Sequence, residues 1–383
     1  MGFMGYLRAD GRVGVRNHVV VMSSVSCANA VVQQIGRAVP EAKVVTHTEG
    51  CGRGPRDVSV SLRTLANVAA HPNVAGVLIV GLGCEVIKNE YIASRAGSGK
   101  PIERIGIQQS GGTPRTVAAG VEIARRLVAE AARAERQPFG FEHLTLAMEC
   151  GGSDAFSGLT ANPTVGWVAD WLVARGGTVV LSEVTEFLGT EAILAERCAD
   201  AEVRDALLGL LERHAQLVKR ELGPMAHTVI APGNQEGGLS SIQEKSLGCI
   251  RKGGSSAIQE VVEYAERPSR QGLCVMNTPG SDIFSITGKV AGGAQIVLFT
   301  TGRGSPAGSP IAPVVKIASN SRLFEAMPDD MDFDAGRIVG GMSLEDCGAE
   351  LAELVAAVAS GRAAAPERTG TELFAIHTVG SAF

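Results

Sequence analysis

Aromatic side chains make up only 4% of this 383-residue chain. Surfaces that stack nucleic-acid bases need such rings, so base stacking is excluded as a main activity. Positive charge is not in excess either. The net charge of −5 pulls the chain toward neither nucleic acid nor an anionic membrane. No apolar run approaches the length of a membrane span. Met1 to Asn17 lacks the apolar centre of a secretory signal, and Tyr6 breaks a myristoylation pattern. No C-x-x-C pair occurs, which argues against zinc ribbons and thioredoxin-type redox sites. The chain therefore reads as cytoplasmic, and its eight cysteines as thiols or metal ligands rather than disulfides.

What is present is ordinary globular bulk, 45% hydrophobic and 20% charged, with 48 glycines. The length allows two or three domains. Apolar, β-branched runs alternate with stretches of helical spacing, which predicts parallel sheets with right-handed crossovers. Gln137 to Phe141 breaks the alternation. The expected fold is α/β with two domains built on parallel sheets, 1–138 and 141–383, the second resuming with a strand from Leu144 to Glu149.

Three strand-like runs end in cysteine: His18 to Cys27, Val44 to Cys51 and Val77 to Cys84. The carboxyl ends of parallel strands share one edge, where ligands bind. Three thiolates gathered there suit an iron–sulfur cluster or zinc, with one coordination position open. His47 and Glu49 stand beside Cys51 as a candidate acid or base. Taken singly, each cysteine reads equally well as a small core residue.

The second half carries three polar glycine loops and a pair of glutamates past a strand. Cys150-Gly-Gly-Ser-Asp154 offers backbone amides and the oxygens of Ser153 and Asp154 to an anion or a metal; the plainer reading is a turn capped by Asp154. Asn162-Pro163 opens the next helix. Glu183 and Glu186 follow a strand, where a carboxylate can serve as base or ligand, although Glu186 also reads as a helix-start charge. Gly233 to Ser246 ends in Glu244 and Lys245, a candidate base and electrophile if burial lowers the lysine pKa, and otherwise ordinary surface charges. Cys249, one turn on, fits the core as well. Thr300 to Ser309 places Thr301, Arg303 and Ser305 in a loop able to cradle a carboxylate. It is not a P-loop, because the next lysine, Lys316, stands well beyond it.

Six collinear segments carry a family resemblance. They are Gly5 to Asn17, Gly81 to Glu85, Cys150 to Asp154 with Gly158 to Gly166, Gly237 to Leu239 with Glu244 to Gly248, Phe299 to Ser305, and Asp330 to Asp332 with Asp334 to Ile338. In these the chain resembles the altronate/galactarate dehydratase family. The resemblance implies an iron-requiring lyase that removes water from a sugar acid. It implies a first domain that helps form a homodimer and a second that is a Rossmann-like variant. Sugar-acid members of the family typically carry a small β-clip domain of the SAF type, expected here either on a separate small subunit or to be dispensed with. The layout is also similar to the large subunit of (2R)-sulfolactate sulfo-lyase, where sulfite leaves.

On that reading the substrate is a small-molecule acid, with no nucleic acid or membrane partner. Lys245 or His47 is the expected base, with Glu244 beside it. Arg303, Ser305, Thr301, Ser153 and Asn162 would bind the acid. Iron would sit as a cluster on Cys27, Cys51 and Cys84, or as mononuclear Fe2+ near Cys150, Asp154 and Glu183. A non-catalytic subunit that binds a sugar acid is the contrasting expectation, and the set of polar glycine loops argues against it.

Overall fold

The computed structural model describes residues 2–97, 99–228 and 230–383. The strands of its first part are β1 (Phe3–Leu7), β2 (Val13–Gly14), β3 (His18–Ser23), β4 (Ala42–Val45), β5 (Val74–Gly81), β6 (Ile102–Gly106) and β7 (Gln137–Phe139). β3 to β6 form a parallel sheet in the order β4-β3-β5-β6. Its valine-rich strands are buried on both faces, as parallel sheets require. Val19 and Val21 pack with Val31, Val32 and Ile35 of the helix Asn29–Ala38. Val20 and Met22 face the other way, onto Leu65 and Val68 of the helix Pro55–Ala69. From β3 the chain first moves outward to β4, then crosses back to β5. The crevice between the ends of β3 and β5 is a topological switch point, where open α/β sheets bind ligands.

The second part contributes β8 (Thr145–Cys150), β9 (Thr178–Leu181), β10 (Ile258–Val262), β11 (Gly272–Met276), β12 (Ile296–Thr301), β13 (Val314–Ala318) and β14 (Phe333–Asp334). All seven are parallel, in the order β10-β11-β9-β8-β12-β13-β14. This is the Rossmann-like arrangement, and its switch point lies between β8 and β12.

The break at Gln137 to Phe141 is itself structured. β7 pairs antiparallel with β1, and the Phe3 ring sits 6.3 Å from Phe139 and 6.2 Å from Phe141. The chain start is thereby stitched to the junction between the two parts.

The two sheets share a floor. Asn73, just before β5, donates to the carbonyls of Gln295 and Ile311, each at 3.0 Å. His71 bonds the Ala294 carbonyl at 3.1 Å. Their carboxyl edges point away from this floor. The final segment crosses between the parts: the Leu373 amide donates to the Gly308 carbonyl at 3.1 Å, the Gly380 amide to Asp57 at 2.8 Å, and the Phe383 amide to the Gly52 carbonyl at 3.1 Å. Among the described residues no helix is long and apolar enough to cross a membrane.

Candidate metal centre and substrate cavity

The second switch point carries the chemistry. The loops leaving β8 and β12 are bonded to each other: the Gly151 amide donates to the Thr300 carbonyl at 3.1 Å and the Gly302 amide to the Gly152 carbonyl at 3.0 Å. The Asn162 Oδ1 accepts from the Thr300 hydroxyl at 2.7 Å, and its amide nitrogen donates to the Gly248 carbonyl at 3.0 Å. Asn162 thus fastens the helix Ile242–Cys249 across the end of β12.

That helix delivers Cys249 to Cys150. Their sulfurs lie 3.1 Å apart, and Glu186 closes the triangle, 3.0 Å from the Cys150 sulfur and in hydrogen bond with Cys249. All three residues are buried, and their donor atoms lie within 4.8 Å of one another. Among the described residues this is the one such group of three.

Lysines surround it. Lys245 Nζ pairs with Glu186 at 2.5 Å, and Lys252 Nζ pairs with Glu183 at 2.6 Å. Burial opposes charge on Glu186, yet the Lys245 and Lys252 ammoniums outweigh burial and hold its carboxyl below the usual carboxylate range. Burial likewise works against the Lys245 ammonium, and the Glu186 charge reverses it, so Lys245 keeps its proton more firmly than a free lysine. The hydrogen bond with Cys249, and then burial, push the Cys150 thiol well up.

The donor set fits a divalent ion such as Fe2+. Two sulfurs and a carboxylate are borderline-soft ligands. A dication that displaces the two thiol protons leaves the net charge of this buried, balanced group of lysines and glutamates unchanged. The Ser153 and Ser246 hydroxyls beside it are buried without a hydrogen-bond partner, which a bound ligand would remedy. A cavity of about 360 Å³ adjoins the cluster, walled by Ser153, Asn162, Glu244, Lys245 and Cys249 among others. That is room for a small acid.

Cys27, Cys51 and Cys84 follow adjacent strands of the first sheet and are exposed, but they do not form a close ligand group; among the described residues the close group is Cys150, Glu186 and Cys249. Lys245, Ser153 and Asn162 converge on the cavity. The expected lowering of the Lys245 pKa is corrected: the Glu186 carboxylate 2.5 Å away raises it instead. Glu244 lines the cavity too, but it is not paired with Lys245; it folds back on Ser240, whose hydroxyl and amide hold its carboxyl below the usual range. Of the expected mononuclear set Cys150, Asp154 and Glu183, only Cys150 belongs to the cluster. Asp154 accepts from Ser157, Ser319 and Asn320, and Glu183 from the Cys150 amide and Lys252. Glu186 and Cys249 replace them. Glu186 is buried, not a solvated helix-start charge.

Thr301 accepts from the Gly304 amide at 2.9 Å and shapes its loop; Ser305 donates to Asp282 at 3.2 Å; Arg303 is half-exposed and pairs with Glu236 at 2.8 Å. His47 lies in the other part of the molecule. Its Nε2 meets the Ser23 carbonyl at 2.8 Å and its Nδ1 accepts from the Glu49 amide at 3.1 Å, so neither ring nitrogen is free to act as a base. Burial keeps this ring neutral.

Residues 5–132 match the family described as D-galactarate dehydratase/Altronate hydrolase, second domain, and residues 141–382 match D-galactarate/Altronate dehydratase, C-terminal. The chain belongs to the D-galactarate/altronate dehydratase family. It is 36% identical to altronate dehydratase of Bacillus subtilis (strain 168), over 87% of this chain and 69% of that one. It is 34% identical to galactarate dehydratase (L-threo-forming) of Escherichia coli (strain K12), over 98% and 75%. It is also 33% identical to (2R)-sulfolactate sulfo-lyase subunit beta of Chromohalobacter salexigens, over 98% of this chain and 96% of that subunit. This dehydratase-family chain thus joins a lyase fold to a candidate metal cluster at the sheet edge where ligands bind, an arrangement consistent with a hydro-lyase acting on a sugar or hydroxy acid.

Proposed function

We propose that this chain catalyses the iron-dependent β-elimination of water from a polyhydroxy acid of the altronate or galactarate kind. The carrying observation is the junction of a buried thiol–carboxylate cluster with a polar cavity at the β8/β12 switch point. Fe2+ held by Cys150, Glu186 and Cys249 would supply a Lewis acid for a substrate oxygen. The remaining steps belong to side chains. Arg303 and the Thr301-to-Ser305 loop, bonded through Gly302 to the Gly152 carbonyl beside Ser153, would receive the substrate carboxylate. Asn162 and Ser153 orient its hydroxyls. Glu244, ionised by its bonds to Ser240, takes the proton beside the carboxylate, and Lys245 gives its proton to the departing oxygen. The eight free cysteines suit a reducing compartment, and we place the enzyme in the cytoplasm.

A second reading has its own support. The chain is 33% identical over 98% of its length to a chain named (2R)-sulfolactate sulfo-lyase subunit beta. On this reading the chain works with a small SAF-type partner and expels sulfite. One anaerobic assay over altronate, galactarate and sulfolactate separates the two, since the first pair yields a deoxy keto acid and the last yields sulfite. Lys245→Met and Glu244→Gln should each lower kcat by roughly 10²–10⁴-fold with iron content unchanged. Wild-type rates in both variants would refute the assigned roles.

A further inference from the structure

A second cavity, of about 620 Å³, lies where the two parts of the molecule meet. The helix Pro55–Ala69 of the first part lines it with Arg56 and Arg63. The helix Ala201–Leu222 of the second part lines it with Arg213 and Arg220. Glu263 and Asn277 reach it from just past the ends of β10 and β11, and His377 reaches it from the closing segment. Junctions between domains and the carboxyl edges of parallel sheets are where small ligands bind. This cavity shares no lining residue with the one beside Cys150, Glu186 and Cys249.

Its charge runs against that of the chain. Each helix carries its two arginines seven positions apart, about two turns and roughly 10 Å along the axis. Four guanidiniums thus face one space, and the only carboxylates in the wall are Asp57 and Glu263. The wall is therefore net positive, in a chain whose net charge is −5. Both carboxylates are already engaged. Asp57 accepts from the Val379 amide at 3.1 Å and the Gly380 amide at 2.8 Å. Glu263 pairs with Arg213 at 3.0 Å and accepts from the Asn277 side-chain amide at 2.6 Å. Arg63 pairs with Glu266, outside the wall, at 2.5 Å, and Arg220 with its chain neighbour Glu221 at 2.8 Å. Arg56 has no hydrogen bond or ion pair among the described residues. Like charges gathered at one place repel, and the wall holds no acid to spare for Arg56.

Two polar atoms of the same wall lack partners. The Glu263 carboxylate only accepts, so the Asn277 side-chain nitrogen faces it and the Asn277 oxygen faces His214. His214 Nε2 therefore donates, at 2.8 Å, and burial keeps the ring neutral. Its Nδ1 is then an acceptor, buried and without a donor, while the Arg63 Nε is a buried donor without an acceptor. Unmet groups of both kinds mark a place where a ligand, or water carried in with it, completes the bonding. We propose that this cavity binds a small organic dianion, a dicarboxylate or a phosphate monoester, between the arginines of the two helices. Guanidinium forks take carboxylate and phosphate oxygens alike in two-point fashion. An anion seated there joins the two parts of the chain and stabilises the folded state.

The test is isothermal titration calorimetry of the full chain with succinate and, separately, with glycerol 3-phosphate, and the tighter of the two identifies the kind of anion. At least one should saturate a single site per chain, bind more weakly as salt rises, and raise the unfolding midpoint. Uncharged glycerol should not bind. Arg56→Ala combined with Arg220→Ala changes one exposed side chain on each helix and should weaken binding roughly tenfold or more, with the circular dichroism of the wild type. Arg56→Gln alone removes no internal bond and should still weaken it several-fold. Arg303→Ala, in the proposed carboxylate cradle, should bind as the wild type does. Failure of both probes to bind the wild type, or wild-type affinity in the Arg56 and Arg220 variants, would overturn the proposal. So would loss of binding in Arg303→Ala, which would put the anion in the other cavity. None of these results bears on the dehydration reading, which is judged by turnover of altronate and galactarate.

Discussion

At the scale of single residues, burial decides what each charge can do. Lys316 on β13 is fully buried, its ammonium 3.0 Å from the Ala307 carbonyl and above the Phe299 ring. The ring favours the charged form and burial opposes it. Burial wins, and the pKa falls to about 7. The folded chain therefore releases this proton near neutrality, while the unfolded chain keeps it up to the ordinary lysine value. Between those limits the unfolded state binds more protons, so stability rises with pH. Lys316→Met should flatten that rise by roughly 2–4 kcal/mol between about pH 7 and pH 10, read from denaturant midpoints across the range. Parallel pH profiles for variant and wild type would refute it. Lys245, Ser153 and Asn162 were legible in the sequence because each sits in a polar glycine loop or in the first turns of the helix that follows one. Glu186 and Cys249 were visible singly, but their meeting was not: they lie 63 positions apart and come together only when the helix Ile242–Cys249 folds over the end of β8. No local pattern separates such a glutamate from a helix-start charge.

At the scale of elements, glycine sets how closely the helices approach the site. Gly166, in the helix Ala161–Val173, lies where a Cβ would stand 2.1 Å from the Arg251 carbonyl oxygen. The segment it presses on carries both Cys249 and Lys252. Gly166→Ala must push that segment outward, which should cost about 1–3 kcal/mol in stability and weaken metal binding as well. Chemical denaturation and a metal titration of the same variant check both effects, and wild-type values in the two together would contradict the packing argument. The longer strands and helices were legible because their apolar periods are strong: the strand expected over Leu144 to Glu149 is β8, shifted by one residue at each end. β1, β2 and β7 were not. β2 and β7 have two and three residues, too few to show a period, and β1 is defined by its antiparallel pairing with both of them. β10 escaped for a related reason, since it is an edge strand with polar side chains at Gln259 and Glu260.

At the scale of the whole molecule, the two sheets share one core layer, while each keeps a layer of its own on the opposite face. Met22 and Ile79 of the first sheet belong to one buried cluster with Val297 and Phe299 of the second, with Ile286 and Val290 between them. Asn73 adds buried bonds across the same floor. The chain should therefore unfold in one cooperative transition, with far-ultraviolet circular dichroism and calorimetry giving the same midpoint. Two resolved transitions would show that the parts are energetically independent. The division near Gln137 was readable as a break in period, but the shared core was not, because both sides of each sheet look equally apolar in sequence.

The closing segment links the two switch points. It leaves the Gly308 loop, beyond the proposed carboxylate cradle, and finishes against Gly52, next to the exposed thiol of Cys51. Any purification handle fused after Phe383 would emerge beside that thiol. A polyhistidine handle there would bring imidazoles next to the sulfurs and distort every metal count, so recombinant protein is better carried on a cleavable leader at the opposite terminus.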